Sequence, residues 1–227
     1  MERYAVIHTV MPREFVLLQG KGCKWKQCTF CDYHTDSSAD AYSVNKQALD
    51  HVTGIYGVLD IINSGSAMEL DRQTIELIQR VVKDKKIHTL WLEAHYMYRK
   101  QLQQFAEQFE GVCVKYRCGI ESFDGTLRLA WNKGVPVDVQ AEDVAKYFQG
   151  VCLMCCTQGE ERQRILDDID TAEKWFEYAS VNIFCNNSTS IQRDEELVKW
   201  FMEEVYPKLK DSKKIEILIN NTDLGVG

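Results

Sequence analysis

The sequence alternates between short apolar runs and segments with helical periodicity, and this alternation limits the folds open to the chain. After the apolar run at 57–65, Ile75, Ile78 and Val82 recur at helical spacing, and another apolar run follows at 87–95. The runs typical of strands lie at 14–20, 57–65, 87–95, 112–122, 150–156, 179–187 and 213–220. Repeated strand–helix alternation predicts a parallel sheet with right-handed crossovers.

Seven predicted strands are too few for a complete eight-stranded barrel. We therefore predict an α/β fold built as an open, partial parallel barrel, with a doubly wound flat sheet as the alternative. No linker or repeat interrupts the chain, so we expect one domain over 1–227. Within it, 1–13 is expected as an N-terminal extension and 190–227 as the last helix and strand. Either fold places active-site side chains at the carboxyl ends of the strands.

Composition excludes several classes of function. The net charge of −7 argues against a broad nucleic-acid-binding surface, and no apolar run is long enough to span a membrane. Charges interrupt the first fifteen residues, so we expect no signal peptide. The nine cysteines are odd in number and mostly scattered through apolar runs, which is not the pattern of a disulfide framework. We expect a protein of the reducing cytoplasm.

Three cysteines lie within one short loop, "GKGCKWKQCTFCDYH", which spans 20–34. Cys23, Cys28 and Cys31 are soft ligands that suit iron or zinc. One interpretation is a structural zinc ion, with His34 completing a Cys₃His set. The other is a [4Fe–4S] cluster with three cysteine ligands, which leaves one iron open to a small molecule.

The loop resembles that of the radical S-adenosylmethionine (SAM) superfamily, in which an aromatic residue precedes the last cysteine, as Phe30 does here. The first gap holds four residues, 24–27, where the superfamily usually has three. The segment "NSGSAMELD" (63–71) is similar to the Asn-Ser-Gly-Ser form of the branch related to the Elongator catalytic subunit. The segment "GIESFDGTLRLAWNKG" (119–134) is similar to another motif of that branch, whereas "GVCLMCCTQGE" (150–160) matches the glycine-rich fifth-strand motif poorly.

This resemblance implies a (β/α)₆-type partial barrel in which a [4Fe–4S] cluster on the three cysteines binds SAM. One electron, from a donor such as flavodoxin or ferredoxin, then cleaves SAM to a 5′-deoxyadenosyl radical. The residues that the resemblance implies for SAM binding are Phe30, Tyr33, Asn63, Ser64, Gly65, Ser66, Glu121 and Ser122.

For the substrate, the short chain and its motifs resemble the enzymes of queuosine salvage that cleave the C–N bond of queuine, a deazapurine, to give 7-aminomethyl-7-deazaguanine. The expected substrate-binding residues are Glu93, Asn186, Asn187 and Asp223, and the expected catalytic residues are His95 and Cys155. Three alternatives stay open: activation of a partner's glycyl radical, another reaction of a deazapurine pathway, and a zinc-binding module that is not an enzyme.

Overall fold

The computed structural model describes residues 1–227 and contains one sheet of eight strands in the order β1 to β8. The strands are β1 Tyr4–Ile7, β2 Arg13–Leu18, β3 Val58–Asn63, β4 Thr89–Glu93, β5 Cys113–Glu121, β6 Gly150–Cys155, β7 Tyr178–Ile183 and β8 Ile215–Leu218. Only β1 runs antiparallel to its neighbour.

Eight helices accompany the strands. They are α1 Ala41–Asp50, α2 Arg72–Asp84, α3 Leu102–Ala106, α4 Gly125–Ala130, α5 Ala141–Ala145, α6 Arg162–Trp175, α7 Glu195–Trp200 and α8 Tyr206–Leu209, with a π-helical turn, Phe201–Val205, joining the last two. None of them combines the length and the apolar composition that crossing a membrane requires.

The sheet curls into an open barrel. Arg13 in β2 forms an ion pair of 2.7 Å with Glu216 in β8, although five strands, and so six strand spacings, separate β2 from β8 along the sheet order. A flat sheet would hold these strands roughly 29 Å apart, at about 4.8 Å per strand spacing. The predicted partial parallel barrel is therefore confirmed, and the flat doubly wound alternative is wrong.

Each strand points alternate side chains to the helices and to the barrel interior. In β3, Leu59 and Ile61 are buried in the main hydrophobic core, which lies between the sheet and the helices. Between them, Asp60 points to the other face and binds Arg13 and Arg117 inside the barrel. Because both faces are covered, the strands look almost continuously apolar in the sequence, and the inward charges are the exceptions.

Two elements were not predicted from the sequence. The stretch 1–13, expected as an extension, supplies β1, and the C-terminus lies beside it, since Gly227 N–H donates to Glu2 O at 2.9 Å. Helix α1 has weak apolar periodicity because its buried face carries Asn45, whose amide bonds both the N–H and the C=O of Gln19. Between β4 and β5 the one α-helix is the short α3.

Candidate active site at the carboxyl ends of the strands

The three cysteines of the loop follow β2, at the carboxyl end of the parallel strands. Cys23, Cys28 and Cys31 are free, partly buried thiols. Burial raises the pKa of Cys28 to about 11 and also raises the pKa of Cys31. Metals bind thiolates, so a bound metal replaces these protons. No group of three or more His, Cys, Asp or Glu side chains is arranged to hold a single metal ion.

Trp25 anchors the four-residue gap between the first two cysteines. Its indole Nε1–H donates to Asn132 O at 2.8 Å, and its ring stacks on His95 with 5.8 Å between ring centroids. Gly134 lies against the same ring, where an added Cβ would come within 2.4 Å of it. The longer gap therefore accommodates an aromatic anchor that ties the loop to the segment after α4.

Glu69 ties the loop to the segment that follows β3. One carboxylate oxygen accepts the N–H of Lys24 at 3.1 Å, and the other accepts the N–H of Ser66 at 3.0 Å. Gly65 lets the two backbones approach, because an added Cβ would lie 2.2 Å from Glu69 Oε2 and 3.2 Å from Cys23 Cα. This explains why glycine occupies the third position of the Asn-Ser-Gly-Ser segment.

Asn63 presents an unused acceptor at this edge of the site. Its Nδ2 donates to Ser66 O at 3.2 Å, whereas its Oδ1 is buried and has no hydrogen-bond partner. Ser64 supports the start of the cysteine loop, since its hydroxyl accepts the N–H of Gly20 at 3.3 Å. Buried polar atoms are nearly always satisfied, so the Asn63 oxygen indicates a place for a ligand donor.

The other side of the loop is held by residues that follow β7. Asn187 Nδ2 donates to Phe30 O at 2.7 Å, and Asp32 accepts both the N–H and the hydroxyl of Ser188. The Phe30 ring packs edge-on against Trp131, with 5.8 Å between centroids. Asn187 thus positions the cysteine loop, and its amide is engaged in that task.

Lys133 and Glu121 form an ion pair beneath the cysteine loop. Their charged atoms lie 2.8 Å apart, and Lys133 Nζ is also 5.6 Å from the centroid of the Phe30 ring. Burial lowers the pKa of Lys133, but the Glu121 carboxylate outweighs burial and holds the pKa above its usual value. Glu121 has a φ of 67°, at a register shift in β5, which is the kind of backbone strain that clusters at functional sites.

Glu93 is the carboxylate that stays free to accept hydrogen bonds inside the barrel. Its Oε2 lies 3.8 Å from Arg117 Nε and 3.9 Å from Cys152 Sγ, and no shorter polar contact engages it. Burial raises the pKa of Glu93 and the nearby Glu121 raises it further, whereas the Arg117 charge opposes both. A ligand that donates hydrogen bonds to Glu93 favours its ionised form.

Other buried charges close the opposite end of the barrel. Asp60 accepts Arg13 Nε at 2.8 Å and both terminal nitrogens of Arg117 at 3.0 Å. Arg13 also pairs with Glu216 at 2.7 Å. The two arginines and the carboxylates Asp60 and Glu216 compensate one another, and Glu93 has only the longer ion pair with Arg117 Nε at 3.8 Å.

His95 is not placed as a proton donor. Its Nδ1 accepts the Met97 N–H at 3.1 Å, and its Nε2 lies 2.7 Å from Lys133 O, so Nε2 carries the proton. Burial lowers the pKa of His95 to about 4, and the Lys133 charge adds to this effect. His95 therefore links two loops as a neutral ring. These contacts are those of a positioning residue, and the catalytic role expected from the sequence stays a prediction.

Cys155 does not reach the barrel interior. It is buried in the main hydrophobic core, on the helix-facing side of β6, beside Cys156. The cysteine of β6 that points inward is Cys152, which the sequence analysis did not select. Strand alternation decides this, since residues 152 and 155 are separated by an odd number of positions and point to opposite faces.

Three further residues lie away from the interior. Ser122 is fully buried, and its hydroxyl accepts the N–H of Asp124 at 3.0 Å. Asn186 Oδ1 accepts the N–H of Arg193 at 2.7 Å. Asp223 caps an exposed turn by accepting two backbone N–H groups. Their polar groups stabilise local backbone, which is the common use of Ser, Asn and Asp at loop ends.

The structure brings most of the predicted residues together around one edge of the barrel: Cys23, Cys28, Cys31, Phe30, Asn63, Ser64, Gly65, Ser66, Glu93, Glu121 and Asn187. Tyr33, at the end of the cysteine loop, is 59% exposed. Five residues of the site were not selected from the sequence: Trp25, Glu69, Arg117, Lys133 and Cys152. Two of these five residues could have been selected from the sequence. Lys133 is the lysine of the Asn-Lys-Gly segment, and Arg117 is a charged residue in the middle of an apolar strand.

A partial parallel barrel with a three-cysteine loop after its first parallel strand defines the class of radical SAM enzymes. No model of a protein family matches the sequence, and no curated protein matches it. Among solved structures, the chain is 42% identical to a queuine lyase from Clostridium spiroforme bound to SAM and queuine, with a TM-score of 0.94. That alignment covers 100% of this chain and 99% of the other. The chain belongs to the queuine lyase family of radical SAM enzymes.

A second solved structure shows the same fold at greater distance. Streptococcus suis SuiB, bound to S-adenosylmethionine, is 15% identical, with a TM-score of 0.56. The alignment covers 92% of this chain and 48% of that one. At this identity, the likeness establishes the common barrel alone.

Proposed function

We propose that this protein is a radical SAM lyase that cleaves the C–N bond of queuine, between the cyclopentenediol and the aminomethyl arm, to give 7-aminomethyl-7-deazaguanine. The observation that carries the proposal is the full-length similarity, 42% identical, to a queuine lyase whose structure holds SAM and queuine. The barrel interior supports it with a carboxylate, Glu93, whose oxygens make no polar contact shorter than 3.8 Å.

The donor set fits a [4Fe–4S] cluster. Cys23, Cys28 and Cys31 supply three soft ligands from one loop, the number that a [4Fe–4S] cluster with one open iron takes from protein. The buried Oδ1 of Asn63 lacks a donor, and it lies in the segment that Glu69 ties to the cysteine loop. An ammonium group such as the amino group of SAM satisfies such an acceptor. When bound, the cluster and SAM supply a 5′-deoxyadenosyl radical that starts fragmentation of the substrate.

Glu93 is proposed to bind the deazaguanine ring. This ring presents two adjacent donors, N1–H and the exocyclic amino group, which a carboxylate accepts in a bidentate manner. Glu121 is paired with Lys133 and Asp60 with two arginines, so Glu93 is the interior carboxylate with free acceptor capacity. The Arg117 charge at 3.8 Å favours its ionised state.

Around this contact, the chain orients the reactants and excludes water. The ion pair of Lys133 and Glu121 lies beside Gly119, as Glu93 does, and Lys133 also lies over the Phe30 ring of the cysteine loop. Glu121 is proposed to bind a polar group of SAM. Phe30 and Tyr33 are proposed to flank its adenine. The Cys152 thiol lies beside the Glu93 carboxylate, which is also the group proposed to bind the substrate ring.

The proposal is tested by anaerobic reconstitution with iron and sulfide, followed by incubation with queuine, SAM and dithionite. We expect 7-aminomethyl-7-deazaguanine and 5′-deoxyadenosine to form. Cys31→Ala is expected to abolish both products because it removes a cluster ligand. Cys113→Ala, at an exposed cysteine, is the matched control and is expected to keep full turnover. Formation of 5′-deoxyadenosine with queuine untouched contradicts the substrate assignment.

A further inference from the structure

Arg117 and Glu93 are direct neighbours on adjacent strands, yet they do not form a close ion pair. Arg117 in β5 is the register partner of Glu93 in β4. Neighbouring strands lie about 4.8 Å apart, so opposite charges at partner positions ordinarily meet. Here the Arg117 Nε to Glu93 Oε2 distance is 3.8 Å, and the buried Nε has no hydrogen-bond partner. Another contact must therefore hold the guanidinium away from its neighbour.

That contact is made by Asp60. It lies in β3, two strands from β5, and its two oxygens accept the terminal nitrogens of Arg117, each at 3.0 Å. The side chains of Arg117 and Asp60 are 3% and 0% exposed, so water does not compete for this bidentate contact. A guanidinium that is held by both terminal nitrogens cannot turn them toward Glu93.

The position of Arg117 matters because Glu93 has no other cation at hand. The ionisable groups that face Glu93 from neighbouring elements are Asp60 in β3, Arg117 and Glu121 in β5, Cys152 in β6 and Lys133 after α4. Lys133 is paired with Glu121 at 2.8 Å. Burial raises the pKa of Cys152, so its side chain stays a neutral thiol. Arg117 is thus the cation whose orientation decides whether the Glu93 oxygens are occupied.

We propose that Asp60 is a positioning residue for the reaction, because it holds the Arg117 guanidinium away from Glu93 and keeps that carboxylate free for substrate. The inference rests on the proposed function, which assigns Glu93 to the deazaguanine ring. Without Asp60, the terminal nitrogens of Arg117 turn to their cross-strand neighbour and occupy the oxygens that the ring uses. Asp60 lies at the closed end of the barrel and acts through Arg117 alone.

A purely structural role for Asp60 is separated from this one by a matched control. Asp60 also accepts Arg13 Nε at 2.8 Å, and Glu216 accepts Arg13 Nη2 at 2.7 Å, so both carboxylates compensate buried arginines. Glu216→Gln removes one buried carboxylate from the same network but leaves the contact of Asp60 with Arg117 in place. Asp60→Asn removes that contact as well, with the same change in net charge.

Steady-state kinetics with queuine as the varied substrate compare the two variants. In Asp60→Asn we expect KM to rise roughly 10- to 100-fold with little change in kcat, because a charge-assisted acceptor is lost from substrate binding. We expect Glu216→Gln to keep the wild-type KM. A change that only destabilises the fold lowers the active fraction, and so kcat, without raising KM. An equal KM in the two variants overturns the proposal.

The pH profile adds a second readout. Burial raises the pKa of Glu93, the Asp60 charge raises it further, and the Arg117 charge opposes both. Removing Asp60 and bringing Arg117 closer both lower this pKa, so the acid limb of kcat/KM is expected to move to lower pH in Asp60→Asn. Loss of stability alone moves the acid limb to higher pH, because the fold is then lost at milder acidity. A shift to higher pH therefore contradicts the proposal.

Crystal structures of the variants test the restraint without turnover. In Asp60→Asn we expect an Arg117 nitrogen within about 3.2 Å of a Glu93 oxygen, and in Glu216→Gln the wild-type separation. If Asp60→Asn does not fold, the double variant Arg13→Met, Asp60→Asn replaces it, since it removes one charge of each sign. An Arg117 guanidinium that keeps its wild-type position overturns the proposal. If the wild-type protein forms no 7-aminomethyl-7-deazaguanine, the proposed function fails, while these distances still decide whether Asp60 restrains Arg117.

Discussion

Arg117 Nε lies 3.8 Å from Glu93 Oε2 and has no hydrogen-bond partner, although it is buried. The two terminal nitrogens of the same guanidinium are committed to Asp60 at 3.0 Å. Arg117 therefore connects the closed end of the barrel to the carboxylate that faces the candidate substrate. It attracts Glu93 electrostatically without consuming its acceptor capacity.

The first prediction concerns the charge of Glu93. Glu93→Gln keeps the shape but removes a charge-assisted acceptor, so kcat/KM for queuine is expected to fall roughly 10- to 100-fold. The thermal midpoint is expected to stay the same or rise, because a partly buried and incompletely paired charge is removed. Steady-state kinetics and thermal unfolding measure the two effects. Glu107→Gln, at an exposed position, is the control, and equal kinetics in both variants would contradict a substrate role for Glu93.

The second prediction concerns the closed end of the barrel. Arg13→Met leaves Asp60 and Glu216 with less compensation in a dry environment, so the free energy of unfolding is expected to fall by about 3–5 kcal/mol. Arg72→Met is the control, because Arg72 is 92% exposed where it pairs with Glu76. Its cost is expected to stay below about 1 kcal/mol. Urea unfolding of both variants measures the difference. Equal midpoints would contradict a stabilising role for the ion pairs of Arg13 with Asp60 and Glu216.

The third prediction separates backbone strain from steric conflict at Trp25. Gly134 and Gly111 have similar positive φ values, 72° and 77°, but an added Cβ meets the Trp25 ring only at Gly134 and open space at Gly111. Both Gly→Ala variants bear the strain of a left-handed residue, roughly 1 kcal/mol. Gly134→Ala is expected to lose about 1–3 kcal/mol more and to bind less iron after reconstitution. Iron content that is normal in Gly134→Ala would show that Trp25 does not position the loop.

The fourth prediction concerns the pH dependence of stability in the apoprotein. The pKa of His95 is lowered to about 4 in the folded state, against an ordinary value near 6.5 in an unfolded chain. The unfolded state therefore takes up the proton first as pH falls, and the contribution of His95, about 3 kcal/mol, is lost between roughly pH 6.5 and 4. His95→Gln is expected to flatten this part of the stability curve. Identical slopes in both proteins, from urea unfolding across this range, would contradict a neutral buried His95.

The strand ends could be predicted from the sequence, but the direction of each side chain could not. Glu93 and Cys155 both occupy the last position of a strand, yet Glu93 points into the barrel and Cys155 into the helical core. Which face is the interior depends on the register of the neighbouring strands, and no local pattern encodes it when both faces are buried. The contacts of His95 could not be predicted for a related reason, since its partner Lys133 is distant in the sequence.

The order of apolar runs and helical segments, the three cysteines in one loop and the Asn-Ser-Gly-Ser and Asn-Lys-Gly segments determined the barrel class and the family resemblance. These features are local, so chain order alone reveals them. Only the tertiary structure decided that Glu93 stays free while Glu121 pairs with Lys133, and that Trp25 and Glu69 hold the loop. Curling the sheet brings distant side chains into one low-dielectric interior, where distance and burial determine which charges are paired.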